Sequence, residues 1–231
     1  MEKLVYLLRT NGDGDALREA LLGESVPALR GEGARRLTVC VSDGAVTREG
    51  APRIAQLDPK IAAEVCFWLE NSDDRAGCEA ILGAKAEAIE GYLALESVPI
   101  VSEERLRCDG KRSRGFTLVT AITKLPSIDY ETFLRIWHED HKLVARETQR
   151  SFSYVRNTLV RSLTDGAPGF AGIVEEGFPI EALGDQRVWY DSPDDEAIFE
   201  ANRARMMESC QRFLDLGAID SHPMSEYLLP D

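Results

Sequence analysis

Imidazole is scarce in this chain: three histidines in 231 residues, His138, His141 and His222. A site that needs a cluster of histidines is therefore excluded. The five cysteines, Cys40, Cys66, Cys78, Cys108 and Cys210, are odd in number, scattered and never in a CxxC spacing. That pattern argues against a disulfide framework and against a zinc module, and it fits reduced thiols in a cytoplasmic protein. No apolar run approaches the ~20 residues that span a bilayer. MEKLVYLLRT at the start has only a short apolar stretch and no small-residue cleavage site, so no signal peptide is expected. Positive charge is also short, with 27 Lys and Arg against 40 Asp and Glu and a net charge of -13. A chain that repels polyanions on average is not expected to take a nucleic-acid partner. The one basic cluster, KRSR at 111–114, reads as a solvated patch in a linker. Phosphate-cradling loops are missing too: there is no GxxxxGK, no GxGxxG and no GxSxG elbow. TNGDGD (10–15) is a loop between strand and helix, and SDG (42–44) and TDG (164–166) are turns.

What is present suits a folded globular protein, with 44% hydrophobic and 29% charged residues. The clearest punctuation is VSEERLRCDGKRSRG at 101–115, which divides the chain into an N-terminal repeat (1–101), a linker (102–115) and a C-terminal repeat (116–231). Each repeat opens with a strand-like run, KLVYLLRT from Lys3 and TLVTAITK from Thr117, followed by a turn and an amphipathic helix. Aligned with a two-residue gap in the turn, Asp13 faces Asp129 as candidate N-cap, Leu17 faces Phe133, Leu21 faces Trp137 and Ser25 faces His141. Second strands are expected at 35–41 and 152–160, and third strands at 64–70 and 170–178. Long helices are expected from Asp73 to about Ile89 and from Pro193 to about Leu214, then closing strands at 91–101 and 223–230. The order β-α-β-β-α-β, twice, is the ferredoxin-like plan. The fold class is α+β: two antiparallel sheets that cover each other's bare faces and make one closed barrel.

FLRIWHEDHKLVARE (133–147) holds two of the three histidines. On a helix, Phe133, Trp137, His141 and Val144 fall on one inward stripe. His138 is rotated by about 100° from Trp137 and shares a flank with Leu134. The HEDH spacing lacks the HExxH pattern and no other His or Cys cluster adds ligands, so no metal is expected. Two readings of His141 remain: a satisfied core histidine, or an acid/base facing a cavity between helix and sheet. An imidazole that titrates near neutrality suits the second role.

The segment 117–145 resembles the opening of EthD-type domains, which share a strand, a turn and a helix with an F-x-x-x-W-x-x-x-H core. Those residues are Phe133, Trp137 and His141. FAGIVEEGF (170–178) is similar to the family's glycine, apolar, glutamate, aromatic strand, and DSPDDEAIFEANRARM (191–206) to its second helix. The resemblance spans the second half and, more faintly, the first. It implies the dimeric α+β barrel fold, and it makes Glu175 the acidic member of the site. Two departures stand out. Leu143 takes the place of a proline common in the family, and Ser25 takes the place of the histidine in the first half, which makes that half catalytically blank. The superfamily includes cofactor-free isomerases, cyclases, dehydratases and small monooxygenases, with haem-binding branches, so fold does not settle function.

Alternation leaves two choices open. On the second strand, Tyr154, Arg156 and Thr158 share one face and Val155, Asn157 and Leu159 the other. On the third, Glu175 lies with Ile173, and Glu176 with Val174 and Phe178; only the resemblance prefers Glu175. His222, before Pro223, reads as a loop or strand-edge residue. The expected protein is a cofactor-independent lyase or isomerase for a small hydrophobic, aromatic or polyketide-like molecule. His141, Glu175 and Tyr154 are its candidate catalytic residues, and Phe133, Trp137, His138, Arg156 and Asn157 its candidate substrate-binding ones. A non-catalytic binding protein and a cofactor-free oxygenase or haem-binding barrel are the alternatives, and homodimerisation stays open. The cavity is expected to be open beside His141 and smaller or filled around Ser25.

Overall fold

The computed structural model describes residues 1–47 and 51–231. Eight strands run β1 Glu2–Arg9, β2 Arg35–Val41, β3 Ile61–Leu69, β4 Ala88–Ile100, β5 Phe116–Ile122, β6 Ser153–Ser162, β7 Gly172–Phe178 and β8 Asp220–Leu228. They close into one antiparallel barrel in the order β1-β3-β2-β8-β5-β7-β6-β4. Each half contributes four neighbours in the ferredoxin-like order, and the halves meet edge to edge. Thr38 to Val41 of β2 pair with Leu228 to Ser225 of β8, and β4 pairs with β6 from Tyr92↔Ser162 to Ile100↔Tyr154. Closure leaves no unpaired edge, which is how one chain satisfies both sheets.

The period of two in each strand then sorts side chains between two compartments. In β1, Leu4, Tyr6 and Leu8 point outward beneath the first-half helices, while Val5 and Leu7 point into the barrel. The first-half helical layer runs α1 Gly14–Ala20, a π-helical turn Leu21–Ser25 and α2 Val26–Gly31, with α3 Ala76–Gly83 beside it. The second-half layer runs α5 Tyr130–Arg135, a π-helical turn Ile136–His141 and α6 Lys142–Thr148, with α8 Glu196–Gln211 beside it. Both leading helices start as their sequences suggest. Asp13 accepts from the Ala16 amide at 2.8 Å and Asp129 from the Thr132 amide at 2.7 Å, satisfying donors that a helix start leaves free.

The expected helix 73–89 is shorter than its pattern. Asp73 sits in a 3₁₀ turn, α3 ends at Gly83 and β4 starts at Ala88, because the Glu87 amide is already held by the Arg9 carbonyl at 2.9 Å. The helix expected over 193–214 is Glu196–Gln211, capped by Asp195. Before it, the residues between the third strand and that helix form a 3₁₀ turn Ile180–Leu183 and α7 Gln186–Trp189. The linker is not a loose tether. It contains α4 Glu103–Arg107, and Arg112 donates to Ser225 Oγ and the Gly115 carbonyl, both at 2.8 Å, while Ser113 donates to Glu226 at 2.6 Å. Only Lys111 and Arg114 of the basic cluster remain solvated.

His222 is no strand-edge residue. It lies inside β8, 0% exposed, with Nε2 2.6 Å from Asp220 Oδ1; Asp220 in turn accepts from Arg9 at 3.1 Å. The inward phase of β8 and the pull of that carboxylate bury it.

Candidate active site between the second sheet and its helices

The inward stripe of the histidine helix is built as the spacing suggests. Phe133 is 0% and Trp137 1% exposed, and their rings lie 5.4 Å apart. Phe213, just past α8, meets Phe133 at 5.8 Å and the His141 ring at 4.9 Å. His141 closes the π-helical turn, a local widening often found at functional positions. Its Nδ1 lies 2.9 Å from Ser209 Oγ on α8, and its Nε2 makes no hydrogen bond among the described residues.

Beside this helix lies a cavity of about 510 Å³, within the range of small-molecule sites. Its floor is the outward face of the second sheet, with Leu118, Thr120, Tyr154, Val174 and Glu176; Met206 and Cys210 of α8, and Phe213 just past its end, cover it. Pro52, Arg53 and Ile54, from the first half, form one wall. That wall is pinned by a two-bond bridge between Ile54 and Ser221 at 2.9 and 2.8 Å.

Electrostatics in this cavity follow from dehydration. Burial, aided by the positive charges of Arg156 and Arg212, lowers His141 to about 4, so its imidazole is neutral at pH 7. Burial alone pushes Glu176 up to about 7, and its carboxyl group makes no side-chain hydrogen bond among the described residues. The Tyr154 phenol is pushed upward by burial and then by the charge of Glu176. Its oxygen accepts from Trp137 Nε1 at 3.1 Å, which leaves the phenolic O–H free to donate.

Glu175 is the main correction. It points into the barrel, where Oε1 accepts from Asn157 Nδ2 at 2.7 Å, and the sheet separates it from His141. Asn157 is likewise removed from the candidate substrate contacts. Tyr154, Arg156 and Thr158 face the helices, which closes the choice of face that alternation left open. Arg156 does not line the cavity: it donates to Ser97 Oγ at 3.1 Å and to the His138 carbonyl at 3.3 Å. His138 lines a separate surface groove with Asp129 and Leu134, its Nε2 3.3 Å from Thr158 Oγ1. Burial and the charge of Arg156 lower it to about 4.

Thus His141, Trp137 and Tyr154 come together, Phe133 supports them from the core, and Glu176 is the carboxyl group that joins them. Alternation placed it on one face with Val174 and Phe178, but which compartment that face meets was not readable from the strand alone. Ser209 and the 52–54 wall carried no signal in the sequence. In the first half, Ser25 is 1% exposed within an apolar core that contains Leu17, Leu21 and Leu29.

Gly172 is required by Trp137. A Cβ there would lie 2.4 Å from Trp137 Cη2. Gly172→Ala is expected to displace the indole and cost roughly 1–3 kcal/mol, read by thermal unfolding and by a shift in tryptophan fluorescence. An unchanged melting curve and spectrum would contradict this close packing.

No family profile matches the chain, and no characterised relative matches it by sequence. Solved structures do match. An anthrone oxidase-like protein superposes with a TM-score of 0.53 at 11% identity, over 97% of this chain and 90% of that one. The fold is that of the dimeric α+β barrels, closed here within one chain. A monooxygenase-type protein from Lactobacillus acidophilus NCFM gives a TM-score of 0.49 at 10% identity, over 100% and 99% of the two chains. Chlorite dismutase from Candidatus Nitrospira defluvii gives 0.47 at 11%, over 97% and 91%. Among the described residues, no helix of this barrel is long and apolar enough to cross a membrane.

Proposed function

We propose that the chain is a general acid–base enzyme for a small, hydrophobic, aromatic or polyketide-like molecule, of the lyase or isomerase kind. One observation carries this reading: a neutral histidine and a carboxyl group held near 7 line the same apolar cavity. Environments that push two titratable groups apart assign their roles. His141 Nε2 takes a proton from the substrate, with Ser209 orienting the ring. Glu176, protonated below about pH 7, returns a proton to the opposite end. The free O–H of Tyr154 donates to a substrate oxygen as charge develops there.

The pH profile tests the pair. On this assignment kcat/KM falls as pH rises through about 7 and Glu176 ionises, and Glu176→Gln removes that limb together with much of the activity. A profile without an inflection near neutrality in the parent enzyme would remove Glu176 from the mechanism. Stability should move in parallel. A carboxyl group raised in the folded state weakens the fold once ionised, so stability is lost as pH rises through about 7, and Glu176→Gln should abolish that loss.

A second reading, a cofactor-free oxygenase, draws on the same base: a phenol or enol ionised by His141 becomes electron-rich enough to react with dioxygen. The name of the anthrone oxidase-like neighbour prompts the assay. Oxygen consumption with a phenolic substrate separates it from a dehydratase, and a Soret band in the purified protein would mark a haem-binding barrel instead. A non-catalytic binder would retain ligand without converting it. The equivalent π-helical turns and N-caps of the two halves support a tandem duplication with repeats at 1–101 and 116–231, in which only the second carries the site. Cytoplasmic location and homodimerisation belong to the same reading.

A further inference from the structure

Across the sheet from His141, the barrel interior holds a cluster that the proposed reaction does not use. Glu64 and Cys66 from β3 and Glu175 from β7 each offer a ligand atom, and these atoms lie within 4.8 Å of one another. All three are buried, 1% exposed each. Independently of that convergence, polar atoms here lack partners. Among the described residues, neither carboxylate oxygen of Glu64 has a hydrogen-bond partner, nor does Oε2 of Glu175 or Oδ1 of Asn157, a residue 0% exposed. Leaving such groups dry and unpaired is costly unless something covers them.

The neighbouring cations do not supply that cover. Lys3 Nζ is committed to Glu96 at 2.5 Å and stands 3.6 Å from Glu175 Oε1. Arg105 reaches Glu175 Oε2 only at 3.6 Å and also approaches Glu96 at 3.8 Å. Glu226, on β8, spends one oxygen on Ser113. Lys3 and Arg105 thus face the four carboxyl groups of Glu64, Glu96, Glu175 and Glu226, and among the described residues Glu64 has no ion pair of its own.

We infer that Glu64, Cys66 and Glu175 form a binding site for one divalent transition-metal ion, of the zinc type, inside the barrel. One thiolate with two carboxylates suits a borderline-soft ion better than magnesium or calcium, which take oxygen alone. Binding releases the Cys66 proton and any proton shared by the carboxyl groups. Asn157 positions Glu175 by its 2.7 Å bond, as the outer partners of metal ligands do. The sheet itself separates this site from the cavity of His141, so its role is structural, tying β3 to β7 across the barrel.

The test uses the full-length protein, refolded or incubated with Zn²⁺ and then desalted. One equivalent of zinc by elemental analysis is expected. With Co²⁺ in its place, a thiolate-to-metal charge-transfer band should appear, absent in Cys66→Ser. Glu64→Gln, isosteric and uncharged, keeps the barrel's shape by circular dichroism and should weaken binding at least roughly 100-fold, and Asn157→Ala roughly 10- to 100-fold. Cys108→Ser, on the linker, should bind as the parent does. No retained metal after either loading route, or parent-like retention by both Glu64→Gln and Cys66→Ser, would overturn the site and leave a cluster neutralised by protons alone.

Discussion

His141→Gln is expected to lower kcat/KM for the true substrate by roughly 10²- to 10⁴-fold, the contribution of a positioned acid–base group. The substitution isolates the proton transfer. Glutamine fills a similar volume beside Phe213 and can keep a hydrogen bond to Ser209, so the helix and the cavity should persist, but an amide cannot accept and return a proton at neutral pH. Substrate binding should change little, which places the loss in kcat rather than KM. Ser209→Ala should cost less, since it frees the ring without removing the base, and its effect should appear as a shifted acid limb of the pH profile. Burial holds His141 at about 4, so across neutral pH the parent keeps its base form and the limb near 7 belongs to Glu176. If His141→Gln turns over the substrate as the parent does, the cavity is a binding site and the imidazole a packing element.

Trp137→Ala is expected to destabilise the protein by about 3–5 kcal/mol, the cost of emptying a buried aromatic position. In a domain of this size that corresponds to a fall in Tm on the order of 10 °C. The indole touches Phe133 and fills the space that Gly172 leaves open, and its Nε1 is the hydrogen-bond donor to Tyr154. Truncation therefore opens a void and also strips a partner from a phenol that is 1% exposed. Trp137→Phe separates the two effects: it keeps much of the ring volume and loses the bond, so about 1 kcal/mol of destabilisation is expected with a larger loss of activity. Differential scanning calorimetry of the three proteins checks the ranking. A Trp137→Ala protein that melts with the parent would mean that the stripe is not the keystone of the second-half core.

Much of this molecule is legible in local pattern. The order of strands and helices, the caps at Asp13 and Asp129, and the inward phase of Phe133, Trp137 and His141 depend on residues within a turn or two of each other. Short-range sterics and hydrogen bonding settle such features. The exact ends of the helices were less legible, because β4 is drawn out of its preceding turn by pairing with β1, more than 70 residues away.

Compartment was not legible at all. Alternation shows that Glu175 and Glu176 point opposite ways, but a strand read alone has no inside and outside. That choice was made when β2 met β8 and β6 met β4. Closure sent Glu175 to Lys3 in the barrel interior and Glu176 to the histidine's cavity. It also buried His222 beside Asp220 and brought the first-half residues Pro52–Ile54 against the second-half site. The sequence by itself determined which residues share a face; only the tertiary structure decided what each face meets, because those contacts join strands from opposite halves of the chain.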